Sequence, residues 1–519
     1  MEAHSALRSI FRNISPLDHR YSISEESLFN ILLPWISEEA SVKACVRAEI
    51  ALIAAHLSVR GKLTDCIREE LDKASESVTP EEVYAEEEKT RHFIRALVNV
   101  LKKKVEKAPI EPLGQKSASS SISDDISSLV HLGATSVDIL DTGLSWRIRG
   151  VTREVVLPEL RKLELLLCDF TEREAETPQV GRTHGQHAVP ITVGFAMAEY
   201  VSRLGKSILE IERLEKNLKG KLSGAVGAYN ATALIVKDPE ELERLYLSGL
   251  GLEPSEHSTQ LVEPEYLLRL LLEFNTAFGI IANLADDLRN LQRSEIGELR
   301  EGFASEQVGS STMPQKRNPW NSEHVKSLWK AFMPRVVTFF MDQISEHQRD
   351  LSNSASQRFI SEYIAGFCLA VSRMAGIIKD LGVDRERLKL NLLGKAGGEG
   401  NPGGIPGGVL AEPAYILLAA SGHKDAHEEI RKITLSAERE NLSFVKALAR
   451  EKEILSLIAA KMAELEIINS AGDSALNGIG AGEETVKSAL AWFENPALYR
   501  GLAVKKARRI AARYRELFQ

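Results

Sequence analysis

Cysteine is scarce in this sequence, and no two cysteines form a closely spaced pair. The four that the 519 residues contain are scattered along the chain, at Cys45, Cys66, Cys168 and Cys368. A disulfide framework requires a higher density of cysteines, and a zinc site requires ligands a few residues apart. We therefore predict reduced cysteines that pack in a protein core, and no metal site.

Long apolar runs and a surplus of positive charge are also lacking. The longest apolar runs are shorter than the roughly 20 residues of a membrane-spanning helix, and residues 1–17 lack the pattern of a secretory signal. The formal net charge is -8, whereas proteins that bind nucleic acid nonspecifically carry a surplus of Lys and Arg. The sequence thus predicts a cytoplasmic protein that binds neither a membrane nor a nucleic acid.

Alternation of apolar and polar residues, the sign of a β-strand, is almost absent, and helical periodicity dominates. A long helix is predicted from Met197 onward because apolar residues recur at steps of three and four, at Val201, Leu204, Ile208, Ile211, Leu214 and Leu218. Further helices are predicted over residues 266–291, which would span roughly 39 Å, over 322–346 with a kink at Pro334, and over 357–381. We predict an all-α fold built on a bundle of long helices.

Two segments of biased composition suggest where the chain divides. Residues 112–125 are rich in serine and residues 394–408 are rich in glycine. The glycine-rich segment lacks the GxxxxGKS or GxxxxGKT pattern of a phosphate-binding loop, so we predict a surface loop there. The predicted division is a helical domain at 1–125, a central long-helix bundle at 126–382 and a second helical domain at 383–519.

Four short segments combine glycine with hydroxyl, imidazole or basic side chains. They are HLGATSVDILDT at residues 131–142, GRTHGQHAVPITVG at 181–194, SGAVGAYNA at 223–231 and GSSTMPQKRNPWNSE at 309–323. The last is the most specific, because it fits the pattern SSxMPxKxNP followed by a glutamate. Together the four segments resemble the motifs of the fumarase/aspartase superfamily of lyases, which implies an all-α bundle of that type.

Ser310 is the predicted general base. Glycine and small hydroxyl residues suit a mobile loop that closes over a substrate, and Lys316 and Asn318 offer hydrogen-bond donors to a carboxylate. A serine hydroxyl is a poor base in water, so the role requires nearby cations or backbone dipoles that stabilise the alkoxide. Taken alone, the segment could instead cap a helix, and Lys316 could be a solvated charge.

His184 is the predicted general acid. A departing amine needs a proton donor whose pKa is near neutrality, and an imidazole has such a pKa. The resemblance implies that Thr183 belongs to the same site, and that Glu323 pairs with the imidazole and raises its basicity. Taken alone, His184 could be a structural histidine, and His187 is interpreted as a packing residue.

The resemblance also gives roles to the two remaining segments. It implies that the hydroxyls of Thr135 and Ser136 hydrogen-bond a substrate carboxylate. The alternative, that one of them caps a helix, is compatible with this role. The segment 223–231 is predicted to form a turn that shapes the pocket by close approach of its backbone.

Two further segments resemble the adenylosuccinate lyase family in particular. SPLDHRYS contains Arg20 and Tyr21, and QRDLSNSASQR contains Arg349, Ser354 and Arg358. The resemblance implies that these residues contact a nucleotide and its phosphate, to which Arg and hydroxyl groups donate charge-assisted hydrogen bonds. Ser354 and Arg358, four residues apart, would share one face of a helix. Taken alone, these residues could form a solvated polar surface.

Two other segments depart from the family pattern. Thr90-Arg91-His92 matches the start of the family motif TxHDV, which implies that Arg91 and His92 belong to the site. His92 would have a supporting acid-base or phosphate role, but Phe93 replaces the usual acidic residue, so another group must orient the imidazole. Gln260 matches a glutamine that reaches the base or the succinyl group, but Leu-Val-Glu-Pro-Glu follows it where many members have a charged pair.

The resemblance implies a β-elimination that uses no metal or redox cofactor. Ser310 would remove a Cβ proton from a succinylamino group, and His184 would protonate the departing nitrogen as fumarate forms. The implied substrates are small phosphorylated molecules, adenylosuccinate and the succinylaminoimidazole carboxamide ribotide of purine biosynthesis. The implied assembly is a homotetramer whose active sites are each shared by three subunits.

Two alternatives remain open at this point. One is argininosuccinate lyase or another fumarate-releasing lyase of the superfamily. The argininosuccinate substrate has no phosphate, so the residues Arg20 and Arg349 argue against that alternative. The other is a catalytically silent structural protein, against which Ser310, His184 and Lys316 argue because all three are present.

Overall fold

The computed structural model describes residues 9–108, 126–303, 306, 309–394, 405–469 and 481–519. Its α-helices are Arg20–Ser24, Glu26–Ile36, Glu38–Val59, Asp65–Glu76, Pro80–Thr90, Phe93–Lys107, Ser136–Val151, Leu157–Arg173, Val193–Glu215, Pro239–Ser248, Glu265–Leu291, Trp320–Phe332, Arg335–Met341, Ile360–Lys379, Arg385–Leu392, Ala411–Ala420, Ala426–Arg439, Phe444–Leu448, Lys452–Glu464, Glu483–Phe493 and Ala503–Phe518. The serine-rich segment 112–125 and most of the glycine-rich segment 394–408 lie outside the described residues.

The strands are short and pair two by two. Pro178–Thr183 and Gln186–Thr192 form an antiparallel hairpin. The other pairs have two residues in each strand: Lys219–Gly220 with Glu253–Pro254 in parallel, and Leu299–Arg300 with Gly382–Val383 antiparallel. The hairpin contains the segment GRTHGQHAVPIT, for which the sequence predicted no strand.

The predicted long helices are confirmed. The helix predicted from Met197 spans Val193–Glu215, and all six residues of its predicted apolar stripe are buried. The helix predicted over residues 266–291 spans Glu265–Leu291. The one predicted over 357–381 consists of a 3-10 turn followed by Ile360–Lys379.

At Pro334 the sequence predicted a kinked helix, but the structure has two separate helices. One helix, Trp320–Phe332, ends before the proline, and a separate helix, Arg335–Met341, begins after it. A proline has no backbone N–H to donate and its ring crowds the preceding turn. The helix is therefore interrupted at this point and not only kinked.

The described residues form two compact units. The first unit comprises residues 1–161, 206–279 and 327–372, and the second comprises 162–205, 280–326 and 373–519. The division that the sequence predicted, with boundaries after 125 and 382, is a different partition and stays a prediction.

Each unit has its own apolar core. In the first unit, the helices Glu38–Val59 and Phe93–Lys107 bury one face each against Leu222, Leu242 and Tyr246. In the second unit, the helices between Ala411 and Phe493 bury aliphatic residues around Phe444 and Phe493. Helices with one apolar stripe gain most of their stability from such burial.

Two helices are long and apolar enough to cross a bilayer on length and composition alone. They are Glu265–Leu291 and the helical segment Ser356–Lys379. Buried residues make up 56% and 72% of their most apolar windows. Helices of a protein core have the same property, so these two do not indicate a membrane span.

Candidate active site

The predicted site residues divide between the two units. The first unit contains the residues predicted for substrate binding and the supporting histidine, namely Arg20, Tyr21, Arg91, His92, Thr135, Ser136, Gln260, Arg349, Ser354 and Arg358. The second unit contains the residues predicted for proton transfer and their neighbours, namely Thr183, His184, Ser310, Lys316, Asn318 and Glu323.

In the first unit, three predicted nucleotide-binding residues line one cleft of about 440 Å³. We call it the arginine cleft, and its charged and hydroxyl lining residues include Glu38, Tyr84, Glu87, Asp141, Arg147, Arg349, Ser354 and Arg358. Ser354 lies in a turn and Arg358 in a 3-10 turn, so they share the cleft without sharing an α-helical face. Arginine side chains and a hydroxyl in one cavity fit a phosphorylated ligand.

Gln260 and Arg349 contact each other directly. The Nη1 of Arg349 donates a hydrogen bond to Oε1 of Gln260 at 2.9 Å, and the backbone N–H of Gln260 donates to the carbonyl of Gln348 at 3.2 Å. These two bonds join segments that are almost ninety residues apart in the chain. The predicted glutamine therefore contacts Arg349, which lines the arginine cleft, without lining the cleft itself.

Leu261 and Val262 occupy the positions where the family pattern has charge. Leu261 lines the arginine cleft, and both residues line the small neighbouring pocket. Their segment is fixed by its backbone, because the N–H of Val262 donates to Oδ2 of Asp141 at 3.1 Å. A half-buried carboxylate thus takes part in holding the segment that carries Gln260.

Thr135 is the N-cap residue of the helix Ser136–Val151, which confirms the helix-cap alternative for this pair of hydroxyls. Its backbone N–H donates to Oδ2 of Asp138 at 2.8 Å. Asp138 is fully buried and forms an ion pair with Lys221, which is also fully buried. The N-terminus of a helix carries a partial positive charge and free N–H groups, so Thr135 and Ser136 lie where a carboxylate would be stabilised.

The loop before this helix is held by a buried carboxylate. Oε2 of Glu49 accepts the backbone N–H of His131 at 2.9 Å, and Oε1 of Glu49 lies 2.6 Å from Nδ1 of the same residue. His131 has a left-handed backbone, with φ of 63°. Because such a conformation is unfavourable for a residue with a side chain, the contacts with Glu49 help to fix the start of the segment 131–142.

His92 is oriented by a backbone group and not by a carboxylate. It is the N-cap residue of the helix Phe93–Lys107, and its Nδ1 accepts the backbone N–H of Arg95 at 3.2 Å. With Nδ1 acting as acceptor, the proton of a neutral imidazole is on Nε2. This contact supplies the orienting group that the sequence lacks at Phe93.

Of the remaining predicted residues of the first unit, Arg20 and Arg91 are exposed and Tyr21 is half-buried. Arg91 is the left-handed C-cap of the helix Pro80–Thr90, with φ of 54°. Arg20 begins the helix Arg20–Ser24. Among the described residues that line the arginine cleft, neither Arg20 nor Tyr21 is present, so the structure does not bring this predicted pair together with Arg349.

In the second unit, His184 lies at the tip of the antiparallel hairpin. Thr183 pairs with Gln186 across a two-residue turn, and His184 and Gly185 both have positive φ, at 55° and 75°. Positive φ at both central residues is the requirement of a type I′ turn, which favours tight hairpins. The turn leaves the imidazole exposed at the end of a rigid element.

A buried carboxylate holds the strand that leads to His184. Glu298 is fully buried, and its two oxygens accept hydrogen bonds from the guanidinium of Arg182 at 2.6 and 3.1 Å. The side-chain amides of Gln179 and Asn391 donate to the same carboxylate, each at 2.8 Å. We call these four residues the Glu298 cluster. It joins the hairpin to the helix Arg385–Leu392.

The loop around Ser310 places two backbone donors on the hydroxyl oxygen. The N–H groups of Met313 and Thr312 donate to Oγ of Ser310 at 3.1 and 3.4 Å. Hydrogen bonds to the charged form of a group lower its pKa, so these donors favour the alkoxide. Two backbone dipoles are thus directed at this oxygen.

The same loop is closed by a short contact between its ends. The side-chain amide of Asn318 donates to the carbonyl of Gly309 at 3.0 Å. A Cβ at Gly309 would lie 2.0 Å from the carbonyl oxygen of Lys316, which explains why glycine occupies this position. One N–H of Asn318 therefore holds the loop, while Lys316 is exposed beside it.

Glu323 lies in the first turn of the helix Trp320–Phe332 and is exposed. Within the described part of the chain, no hydrogen bond or ion pair joins Glu323 to His184, so their predicted pairing is not formed inside one chain. Glu301 caps the N-terminus of this helix, because its Oε1 and Oε2 accept the backbone N–H groups of Ser322 and Asn321 at 2.7 and 3.1 Å.

Sequence reasoning missed Asp141, Glu298 and Glu301. Asp141 belongs to the segment 131–142. If Thr135 or Ser136 caps a helix, as the alternative for that segment had it, Asp141 is an acidic residue within that helix, which was a usable signal. Glu298 and Glu301 lie outside every motif, and only their burial or their contacts identify them. Among the described residues, no group of three or more His, Cys, Asp or Glu side chains could hold a metal ion.

Comparison with known proteins gives relatives along most of the chain. A family model described as lyase matches residues 6–331, and one described as adenylosuccinate lyase C-terminal matches residues 345–469. The chain is 30% identical over 487 residues to the adenylosuccinate lyase of Pyrococcus horikoshii, covering 93% of this chain and 98% of that one. Over 486 residues it is 30% identical to the adenylosuccinate lyase of Archaeoglobus fulgidus, covering 92% and 98%.

Solved structures share the fold. The 3-carboxy-cis,cis-muconate lactonizing enzyme of Pseudomonas putida matches with a TM-score of 0.72 at 22% identity, covering 97% of this chain and 100% of that one. The fumarate lyase of Mesorhizobium sp. BNC1 matches with a TM-score of 0.71 at 18% identity, covering 94% and 97%. These likenesses confirm the predicted all-α, long-helix fold of the fumarase/aspartase type.

Proposed function

Because this chain belongs to the adenylosuccinate lyase family, we propose that it releases fumarate from adenylosuccinate, which yields AMP. The succinylaminoimidazole carboxamide ribotide of purine biosynthesis is the second proposed substrate. The observation that carries the proposal is the arginine cleft, in which Arg349, Ser354 and Arg358 meet. A phosphorylated substrate needs such a cleft, whereas argininosuccinate has no phosphate for it to bind.

The proposed reaction is a β-elimination without a metal or redox cofactor. The alkoxide of Ser310 removes a Cβ proton of the succinyl group, and the electron pair spreads into the adjacent carboxylate. The pair then forms the carbon-carbon double bond of fumarate as the carbon-nitrogen bond breaks. His184 delivers a proton to the departing nitrogen, so the amine leaves neutral.

The contacts of the predicted residues support these roles. Two backbone N–H groups donate to Oγ of Ser310, and the type I′ turn presents His184 on a rigid hairpin. The helix N-terminus at Thr135 and Ser136 suits one substrate carboxylate. Lys316 supplies a cation for the carboxylate that gains charge in the transition state.

The reaction is tested with purified protein and both proposed substrates. Fumarate release and the accompanying change in ultraviolet absorbance are expected with adenylosuccinate and with the succinylated ribotide. Argininosuccinate serves as the matched control and should give no fumarate. Turnover of argininosuccinate alone would assign the chain to that rival lyase, and no turnover of any of the three would contradict the proposal.

We propose a homotetramer in which each active site uses residues of several subunits. Exposed apolar side chains on the first unit support self-association, since monomers rarely expose contiguous apolar patches. They are Val337, Phe340, Met341, Ile344 and Leu351. The absence of a bond between His184 and Glu323 within one chain is compatible with pairing across subunits.

The assembly is tested by analytical ultracentrifugation. The expected species has four times the 57.3 kDa mass of one chain. A monomer at micromolar concentration, with full activity, would contradict the shared site. The cytoplasmic location stays a prediction from the sequence.

A further inference from the structure

The segment after Gln260 is held by contacts that the family pattern does not anticipate. Val262 donates its backbone N–H to Asp141, and Gln260 donates its own to the carbonyl of Gln348. Ser258 and Val262 are bridge partners, so the segment forms a tight turn with Gln260 near its tip. The position of the Gln260 side chain therefore depends on where the Val262 backbone is held.

Asp141 is the side chain that holds it. It lies on the helix Ser136–Val151 and lines both the arginine cleft and a smaller pocket of about 70 Å³ behind Leu261. Through Val262 it is connected to Gln260, and Gln260 accepts the hydrogen bond from Arg349. One carboxyl group thus joins the helix of Thr135 and Ser136 to the segment that contacts Arg349.

Charged groups face Asp141 from each element around it. Lys221 and Arg349 favour the ionised form, and Asp138 on the same helix disfavours it. Glu263 and Asp342 are the other carboxyl groups that line the smaller pocket, where they accept the hydroxyls of Ser255 and Ser356. Burial is the largest effect and raises the pKa of Asp141 to about 6.

We propose that Asp141 is a positioning residue for substrate binding, whose carboxylate fixes the backbone of Val262 and thereby keeps Gln260 against Arg349. This inference rests on the proposed function. Asp141 acts through Val262 and Gln260 and does not itself transfer a proton to the substrate.

The consequence is a pH dependence of binding. Above pH 6 the carboxylate is charged, accepts the N–H of Val262 strongly and attracts Arg349. As the pH falls through the pKa of about 6, protonation weakens both interactions. The KM for adenylosuccinate is therefore expected to rise on the acid side, with a smaller change in kcat.

The test compares two variants of the full-length protein with adenylosuccinate as substrate. Asp141→Ala removes the acceptor for Val262, so KM is expected to rise about tenfold at about pH 8, with kcat within about threefold of the unchanged protein. Asp141→Asn keeps a carbonyl acceptor and is expected to restore KM to within about twofold. In this variant the part of the increase in KM at acid pH that is caused by protonation of the Asp141 carboxylate should be absent.

Controls distinguish the proposed positioning role of Asp141 from a structural effect of the substitutions. The substrate phosphate also titrates near pH 6, so only the difference between the unchanged protein and Asp141→Asn is used. Asp342→Asn alters a half-buried carboxyl group that lines the same smaller pocket and whose pKa is also raised by desolvation, and this variant should keep the acid rise. Unfolding midpoints of all variants show whether the fold is intact.

Two results would overturn the proposal. One is an Asp141→Ala variant, folded, whose KM is within about twofold of the unchanged protein. The other is an acid rise in KM that is the same in Asp141→Asn as in the unchanged protein. Failure of the proposed function is a distinct result, because the unchanged protein would then release no fumarate at any pH.

Discussion

Replacing Ser310 by alanine is expected to lower kcat for fumarate release by about a thousandfold or more. The variant lacks the oxygen that would remove the Cβ proton, and no other group is held by the N–H donors of Thr312 and Met313. Substrate binding should change little, because the hydroxyl would contribute mainly to the transition state. Turnover is followed by ultraviolet absorbance, and affinity by calorimetric titration of the variant with adenylosuccinate.

A matched control is available in the same loop. Ser311→Ala removes the neighbouring, exposed hydroxyl and is expected to keep at least about a tenth of the activity. If Ser310→Ala retained a similar fraction, Ser310 would not be the base. If both variants lost binding as well as turnover, the loop would have a structural role. The result would then contradict a role for Ser310 that differs from that of Ser311.

Replacing Glu298 by alanine is expected to destabilise the protein by about 3–5 kcal/mol. The change leaves the guanidinium of Arg182 and the amides of Gln179 and Asn391 without their shared buried acceptor. Removing one partner of a buried ion pair has this large effect because the other charge stays buried and uncompensated. The free energy of unfolding is measured by urea titration.

The same variant should also lose turnover under conditions where it is folded. The hairpin that carries His184 is attached to its surroundings through Arg182, so its tip would shift when the Glu298 cluster is broken. Glu295→Ala is the matched control, since Glu295 is exposed in the same connecting segment and forms an ion pair with Arg293, which is also exposed. An equal loss of stability in both variants would contradict the role of the cluster.

The long helices were predictable because their signal is local. Apolar residues at steps of three and four in Val193–Glu215 describe one face of a helix regardless of what packs against it, and all six predicted positions are buried. The hairpin at His184 was missed because its strands are short and its pairing depends on a turn. The available sequence signal was the pair His184-Gly185 between Thr183 and Gln186. Histidine and glycine both tolerate the positive φ that a tight hairpin turn requires.

The identities of the chemical groups were also readable from the sequence. The motifs included Ser310, His184 and three residues that line the arginine cleft, Arg349, Ser354 and Arg358. The exception is the pair Arg20 and Tyr21, which share a motif but do not line the cleft in one chain. A motif specifies which residues are present, and it does not specify which subunit or segment they meet.

The sequence by itself determined the long helices and the residue types proposed for the reaction, because periodicity and residue type are local properties. Only the tertiary structure decided that Val262 donates to Asp141, that Glu298 is buried, and that Glu298 holds the strand of His184. Those contacts join segments more than a hundred residues apart. Burial and the neighbours of a charge set its pKa and its orientation, and both arise only when distant segments pack together.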